Sequence, residues 1–229
     1  GLSTLYLHFD GVSRETNPKL ASDSKVVKYS EEKKVGIVLV PTVIKGRNDH
    51  EVGAIIRFAA DHIRAVRGVN FQPIAFTGAA CEEDVQRERI TIPELLGDIE
   101  DQTNGVIKKA DFYPVPCVVP FSDFVEAYTG KPQIRFTAHQ HCGAATYVFV
   151  NDDGLTPVNR MVDVESLMHA LSETAGKLRR GGTFNKYKAL IEAIGEMNDS
   201  FKKSEHGSSS EFWKLFGKTL LFQNFEALR

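Results

Sequence analysis

The apolar positions of this chain alternate between two spacings, and each change of spacing marks an element. A continuous apolar run, Val35-Gly-Ile-Val-Leu-Val40, has the β-branched content of a strand buried on both faces, as in a parallel sheet. A shorter run, Leu5–Phe9, precedes it and ends at Asp10-Gly11, a tight turn by composition. Between the two, Ser22 to Lys34 reads as a weakly amphipathic helix whose apolar content is Val26, Val27 and Tyr29. Further on, Val52, Ile55, Ile56, Ala59, Ile63 and Val66 recur at helical spacing, the stripe of a helix laid on a sheet. Asn48 and Glu51 have capping-box spacing at the start of that helix. Gly68 precedes a third strand, Val69–Phe76, which ends at Thr77-Gly78. The order is β-α-β-α-β with helices of crossover length, which predicts parallel strands. Thr91 and Glu94 form another capping box, with Pro93 in the first turn, and open a helix expected to run to about Ala110.

Beyond this point the pattern changes. Asp111–Pro120 holds three prolines, in DFYPVPCVVP, and cannot be a regular internal strand. Ser122 is placed to cap a short helix that stops at Gly130. Gln133–Thr137 and Ala145–Val150 read as two strands flanking His139-Gln-His-Cys-Gly143. From Asp163 the chain reads helical, with one stripe through Val164, Leu167, Met168, Leu171, Ala175 and Leu178 and another through Leu190, Ile194, Met197 and Phe201. Glu205–Ser210 is a Ser/Gly-rich linker, and Glu211–Phe225 is a strongly apolar last helix. These readings divide the chain into an α/β part over 1–110, an irregular part over 111–160 and a helical part over 161–229.

Composition narrows the class. The hydrophobic fraction of 42% and charged fraction of 25% are those of a soluble globular chain. A net charge of −2 implies no general affinity for polyanions, so nucleic acid is not an expected partner. No apolar run approaches the roughly 20 residues that span a bilayer. Three widely spaced cysteines argue against a secreted disulfide scaffold, so a reducing, cytoplasmic compartment is expected. The chain opens directly into a strand without an initiator Met, which suggests a piece of something longer.

The candidate chemistry lies in two places. The carboxyl ends of parallel strands are where α/β proteins bind ligands, and Asp10, Lys45, Asn48, Gln72 and Thr77 all fall there. In the loop Ile44-x-Gly46-x-x-Asp49 a glycine lets backbone approach a ligand and an acid follows at a helix start; capping alone would also explain Asn48 and Asp49. Gln72 sits in an otherwise apolar strand and needs a buried partner or a ligand. The second place is the His139-Gln-His141-Cys142-Gly143 turn with Cys117 upstream in Pro-rich backbone, a set of soft donors suited to iron–sulfur or zinc. Two unlinked thiols beside two surface histidines would give the same spacing. A metal-dependent hydrolase built on the His139-x-His141 pair would need further His and Asp ligands, and the later His169 and His206 fall in a helix and a linker; a non-catalytic metal-binding module around Cys117 and Cys142 is the other alternative. Cys81, followed by Glu82-Glu83-Asp84, is a poor nucleophile candidate. A Schiff base on Lys45 has no second residue to support it, and no Walker loop, G-x-G-x-x-G or G-x-S-x-G elbow is present.

FDG at 9–11, LVPTVIKGRNDHEVG at 39–53, VNFQPIAFTG at 69–78, RITIPEL at 89–95, FYPVPC at 112–117 and HQHCGAATYVF at 139–149 together resemble one clade of radical S-adenosylmethionine (SAM) enzymes. That clade includes archaeal tetraether lipid synthase and hydroxymethylpterin methyltransferase. The resemblance implies part of a (β/α)6 TIM-like barrel, beginning near its fourth strand, with a [4Fe-4S] cluster and SAM as cofactors. It implies radical alkylation or C–C bond formation on a lipid or pterin-like small molecule. It assigns Asp10, Ile44, Gly46, Asn48, Asp49 and Gln72 to SAM binding, and Cys117 and Cys142 to an auxiliary iron–sulfur cluster. The C-x-x-x-C-x-x-C loop that defines these enzymes is not in this sequence, so the radical-generating cluster is expected on other parts of the same protein.

Overall fold

A computed structural model describes residues 2, 4–135, 138, 139, 141–151 and 154–180. The helices expected over 190–201 and 211–225 lie outside the described residues. The chain divides into two compact units, one holding residues up to Lys109 together with Val150–Leu155, the other holding Ala110–Phe149 and the chain from Thr156.

The first unit follows the β-α-β-α-β order. β1 (Thr4–His8), α1 (Leu20–Lys33), β2 (Gly36–Val40), β3 (Thr42–Val43), α2 (Val52–Asp61), β4 (Val66–Val69) and β5 (Gln72–Pro73) succeed one another. β1, β2 and β4 form a parallel sheet in that order, and β3 pairs in parallel with β5. The expected second strand is therefore interrupted at Pro41, which has no N–H to give to a ladder. The third strand starts earlier than its composition suggested and is broken at Asn70-Phe71. The line of pairing nevertheless continues across both breaks. The amides of Asn70, Gln72 and Ile74 donate to the carbonyls of Leu39, Pro41 and Val43 at 2.8, 2.9 and 3.0 Å.

Burial along this sheet alternates. Leu5, Leu7 and Phe9 of the first strand line up with Ile37 and Leu39 of the second, and these pack with Val27 of α1 and Ile55 of α2. Both crossover helices thus cover the same face. Successive side chains of a strand point to opposite faces, so Tyr6, His8, Val38, Val40 and Gly68 belong to the other face. Tyr6 is 68% exposed there, and a Cβ built on Gly68 would meet nothing within 4 Å. The expectation of a strand buried on both faces holds for only one of them, because the described helices supply one layer.

α3 (Glu82–Glu88) and α4 (Ile92–Gln102) complete this unit. The Thr91–Glu94 capping box forms as its spacing predicts: the Glu94 amide donates to Thr91 Oγ1, and the Thr91 amide to Glu94 Oε2 at 2.8 Å. α4 ends at Gln102, short of Ala110, because Asn104 and Gly105 take positive φ of 53° and 73° and turn the chain. Gln102 also fixes the start of α2. Its side-chain amide donates to the Asp49 carbonyl at 2.7 Å and accepts from the Gly53 amide at 3.0 Å.

The second unit contains β6 (Tyr113–Pro114), a 3-10 turn over Val115–Val118, α5 (Val119–Thr129), β7 (Ala144–Ala145) and α6 (Val164–Arg180); the strands β8 (Val148–Asn151) and β9 (Gly154–Pro157) cross the division, residues 150–155 belonging to the first unit. α5 starts before Ser122, whose hydroxyl donates instead to the Ile134 carbonyl at 2.9 Å, and it stops at Gly130 with φ of 70° as expected. Gln133–Arg135 form no strand, and 136 and 137 lie outside the described residues. The expected stripe of the following helix is the core of this unit: Val164, Leu167, Leu171, Ala175 and Leu178 pack on Phe124 and Val125. Asp111, 1% exposed, accepts from Asn159 Nδ2 at 2.7 Å and pairs with Arg160.

Gly53 tests the packing of α2 on α4. A Cβ there would lie 2.6 Å from Gln102 Cβ and 2.8 Å from its carbonyl oxygen. Glycine costs a helix interior about 1 kcal/mol relative to alanine, whereas overpacking costs about 1–3 kcal/mol. The clash involves backbone, so packing outweighs propensity: Gly53→Ala should lower the urea midpoint of unfolding. An unchanged or higher midpoint would mean the two helices do not approach as described.

Candidate functional site

The carboxyl ends of the parallel strands bring together residues far apart in sequence. Asp10 follows β1, Thr42 opens β3 and Gln72 opens β5. Asp10 Oδ1 accepts from the Thr42 amide at 2.9 Å, and Thr42 is the register partner of Gln72. The three therefore stand side by side. His8 joins them, with Nε2 3.2 Å from Asp10 Oδ2. Strand alternation places Asp10 and Gln72 on the face that the helices leave open. The Gln72 side chain is exposed rather than buried, so its place in an apolar strand is explained by facing outward. A carboxylate that only accepts and a carboxamide that both donates and accepts are suited to hold a polyhydroxy ligand.

Asn48 joins the strand ends to one another. Its Oδ1 accepts from the Ile44 amide at 2.8 Å, and its Nδ2 donates to the carbonyls of Asp10 and Thr42, each at 2.9 Å. It is 5% exposed. The capping reading of Asn48 is thus corrected. No side-chain cap bond forms at that helix start, because the amide is already committed to three backbone groups that the strand ends leave unpaired. Glu51, the other half of the expected box, turns the same way. Its Oε2 accepts from the Val12 amide and from the Thr16 hydroxyl, both at 2.7 Å. Burial alone would raise its carboxyl, but hydrogen bonds from Ser13, Thr16 and the backbone of Val12 and Ser13 outweigh that and hold it below the usual carboxylate range.

The intervening loop is shaped by Gly46, whose φ of 73° favours glycine and whose missing Cβ opens onto free space. Ile44 is half-buried, and its carbonyl accepts from both Arg47 and Asn48. The loop's charges are paired at its rim. Lys45 Nζ meets Glu94 at 2.9 Å, and Arg47 meets Glu88 at 2.7 Å. Thr91 and Lys45 together pull the Glu94 carboxyl down to about 2. Lys45 is therefore an ion-pair partner, which removes the basis for a Schiff-base role. Asp49 is half-buried next to Asp98, whose carboxyl is raised by burial and then by the Asp49, Asp101 and Glu94 charges. Thr77, exposed past the last pair, makes no bond with this group among the described residues.

The thiols belong to the second unit. β6 and β7 pair antiparallel, Tyr113 with Ala145 and Pro114 with Ala144, and the Val115 amide donates to the Gly143 carbonyl at 3.2 Å. Cys117 leaves one strand and Cys142 enters the other at the same end of this ladder. Burial raises the Cys117 thiol, and Cys142 is exposed. His139 and His141 form a turn in which the Cys142 amide donates to the His139 carbonyl at 2.8 Å and the His141 amide to His139 Nδ1 at 3.2 Å, with ring centroids 5.1 Å apart. No group of three or more His, Cys, Asp or Glu that could hold a metal is found among the described residues. The histidine pair therefore gains no third ligand there, and the hydrolase reading gains no support.

Sequence reasoning missed Thr42, His8 and the true role of Glu51. One signal was present for Glu51: it lies one turn before Ile55 and so on the buried stripe of α2, where a mere surface cap would not be.

No protein-family model matches the chain. A 7,8-dihydro-6-hydroxymethylpterin dimethyltransferase of Methanocaldococcus jannaschii is 46% identical over 183 residues, which cover 76% of this chain and 36% of the relative. The chain thus spans about a third of the length of the curated relative it matches. No helix among the described residues is long and apolar enough to cross a membrane.

The two readings of Asn48 differ in what aspartate would do. Asn and Asp serve almost equally at a helix start, but here an aspartate would set an oxygen against two carbonyls. Each buried group left unpaired costs about 1–3 kcal/mol. Asn48→Ala should therefore lose at least about 2 kcal/mol in urea unfolding, and Asn48→Asp at least as much. A near-neutral Asn48→Asp would restore the capping role.

Proposed function

We propose that the chain is part of the barrel of a radical SAM methyltransferase that acts on a reduced pterin. The observation that carries this reading is the gathering of Asp10, Thr42 and Gln72 at the carboxyl ends of adjacent parallel strands, on the uncovered face of the sheet and beside the Gly46 loop. A relative named for methyl transfer to a dihydropterin adds the reaction class. One helix layer on one face is the arrangement of a barrel wall, with the open face turned inward.

The residues fit SAM. Gly46 leaves room for a flat base against the backbone at Ile44–Asp49, Asp10 supplies acceptors for ribose hydroxyls, and Gln72 supplies both donor and acceptor. SAM bound there would supply, on one-electron reduction by a cluster held on other parts of the protein, a radical able to abstract hydrogen from an unactivated carbon. The chain's own part is to orient: Asn48 and Glu51 hold the strand-end backbone, and with it Asp10 and Gln72, in place beside the nucleoside. Cys117 and Cys142 fit half of the four thiolates that a [4Fe-4S] cluster takes, so we assign them to an auxiliary cluster completed by ligands outside the described residues. The C-x-x-x-C-x-x-C loop would be supplied by other parts of the same protein.

The test is anaerobic purification of the whole protein that carries this chain, with iron and sulfide analysis and equilibrium SAM binding. Iron–sulfur content is expected, with one cluster's worth of iron lost in Cys142→Ala and SAM binding weakened about tenfold, or about 1.4 kcal/mol, in Gln72→Ala. A Cys142→Ala protein with its full iron load would remove the auxiliary-cluster assignment. Unchanged SAM affinity in Gln72→Ala would remove the nucleoside site.

A further inference from the structure

We infer that Glu51 is a positioning residue of the strand-end site: its buried carboxylate clamps the Gly11–Thr16 loop and thereby fixes Asp10, the residue before it, toward the open face. The inference rests on the reading of that site as the SAM pocket. Glu51 is 8% exposed and lies at the head of α2, not in the strand-end cluster itself. Its Oε2 takes both the Val12 amide and the Thr16 hydroxyl, and the Thr16 hydroxyl bridges on to Ser13 Oγ at 2.9 Å.

The approach is so close that a Cβ on Gly11 would sit 2.4 Å from Glu51 Oε2 and 1.9 Å from Thr16 Oγ1. Asn17 closes the loop from the other side, donating to the Gly11 carbonyl at 3.3 Å and to Asp23 Oδ2 at 2.9 Å. Asp10 therefore stands between two anchors from the same helix start: Asn48 on its own carbonyl and Glu51 on the loop immediately after it. The Thr42 amide already holds the Asp10 carboxylate, but with the first anchor alone the backbone beyond it could still turn about the φ and ψ of Gly11, since the Asp10–Gly11 peptide bond itself does not rotate. The second removes that freedom. A carboxylate acceptor presented to two donors needs no charge partner within the site, since hydrogen bonds to the ionised form compensate its burial.

The experiment uses the whole protein and SAM alone, without pterin. Equilibrium SAM binding and amide hydrogen exchange at Val12–Thr16 are measured for Glu51→Ala, Glu51→Gln, Thr16→Val and Gln72→Ala. Glu51→Ala should raise exchange at Val12 and weaken SAM about tenfold, roughly 1.4 kcal/mol. Glu51→Gln keeps an oxygen that accepts from both donors and should recover most of the loss. Thr16→Val, which leaves the α2 carboxylate in place, should shift both readouts in the same direction by a smaller factor, and it keeps the idea testable if Glu51→Ala does not fold. Loose exchange at Val12 with SAM affinity unchanged in Glu51→Ala and Thr16→Val, while Gln72→Ala weakens it, would overturn the positioning role and leave the site standing. Unchanged affinity in all four variants would overturn the site itself, and the inference with it.

Discussion

Where a parallel strand ends, its last backbone groups lose their ladder partners, and in this chain the need to satisfy them organises the candidate site. The Thr42 amide goes to the Asp10 carboxylate. The Asp10 and Thr42 carbonyls and the Ile44 amide all go to one side chain, Asn48. The Val12 amide goes to Glu51. A buried unpaired group costs about 1–3 kcal/mol, so each of these bonds matters to the local backbone on the scale of a buried apolar side chain, about 1.5–3 kcal/mol. They also join two strand ends to one helix start. A ligand at this point would meet backbone that is already fixed.

The sheet's two faces divide the work. Ile37 and Leu39 on one face are fully buried with Phe9, Val27 and Ile55, and this supplies the hydrophobic driving force for the unit. The other face carries Tyr6, His8 and Asp10 from the first strand and Gln72 from the last, and no described helix covers it. The core and the candidate site are thus on opposite sides of the same strands, so side chains on the open face are released from core packing. His8 and Asp10 meet on that face at 3.2 Å, an ion pair only when the imidazole is protonated.

Much of this was legible from the chain, and what was missed was missed for physical reasons. Parallel pairing followed from crossover-length helices between apolar runs, and the Thr91–Glu94 box formed as its spacing required. The Asn48–Glu51 box has the same spacing and did not form. Spacing records which residues are local neighbours, whereas these two side chains are engaged by loops 35 to 39 positions away. Gln72 was read as polar within a core because alternation shows which residues share a face but not whether that face is covered. Cys117 and Cys142 could be named as soft donors, yet their placement at one end of a common ladder depends on pairing between segments that are only two residues long.

That short ladder carries a further consequence for the second unit. Two-residue strands add little pairing stability of their own, so the positions of Cys117 and Cys142 must come from what flanks them. On one side is the 3-10 turn running into α5, whose Phe124 and Val125 are anchored in the core with α6. On the other is the His139–Cys142 turn, exposed and held by its own backbone bonds. One thiol thus stands half-buried on a turn that leads into a core-packed helix, and the other stands exposed on a surface turn. A metal or cluster bridging them would tie that exposed turn to the core-mounted side of the ladder, since ligand bonds that cross-link two segments order both.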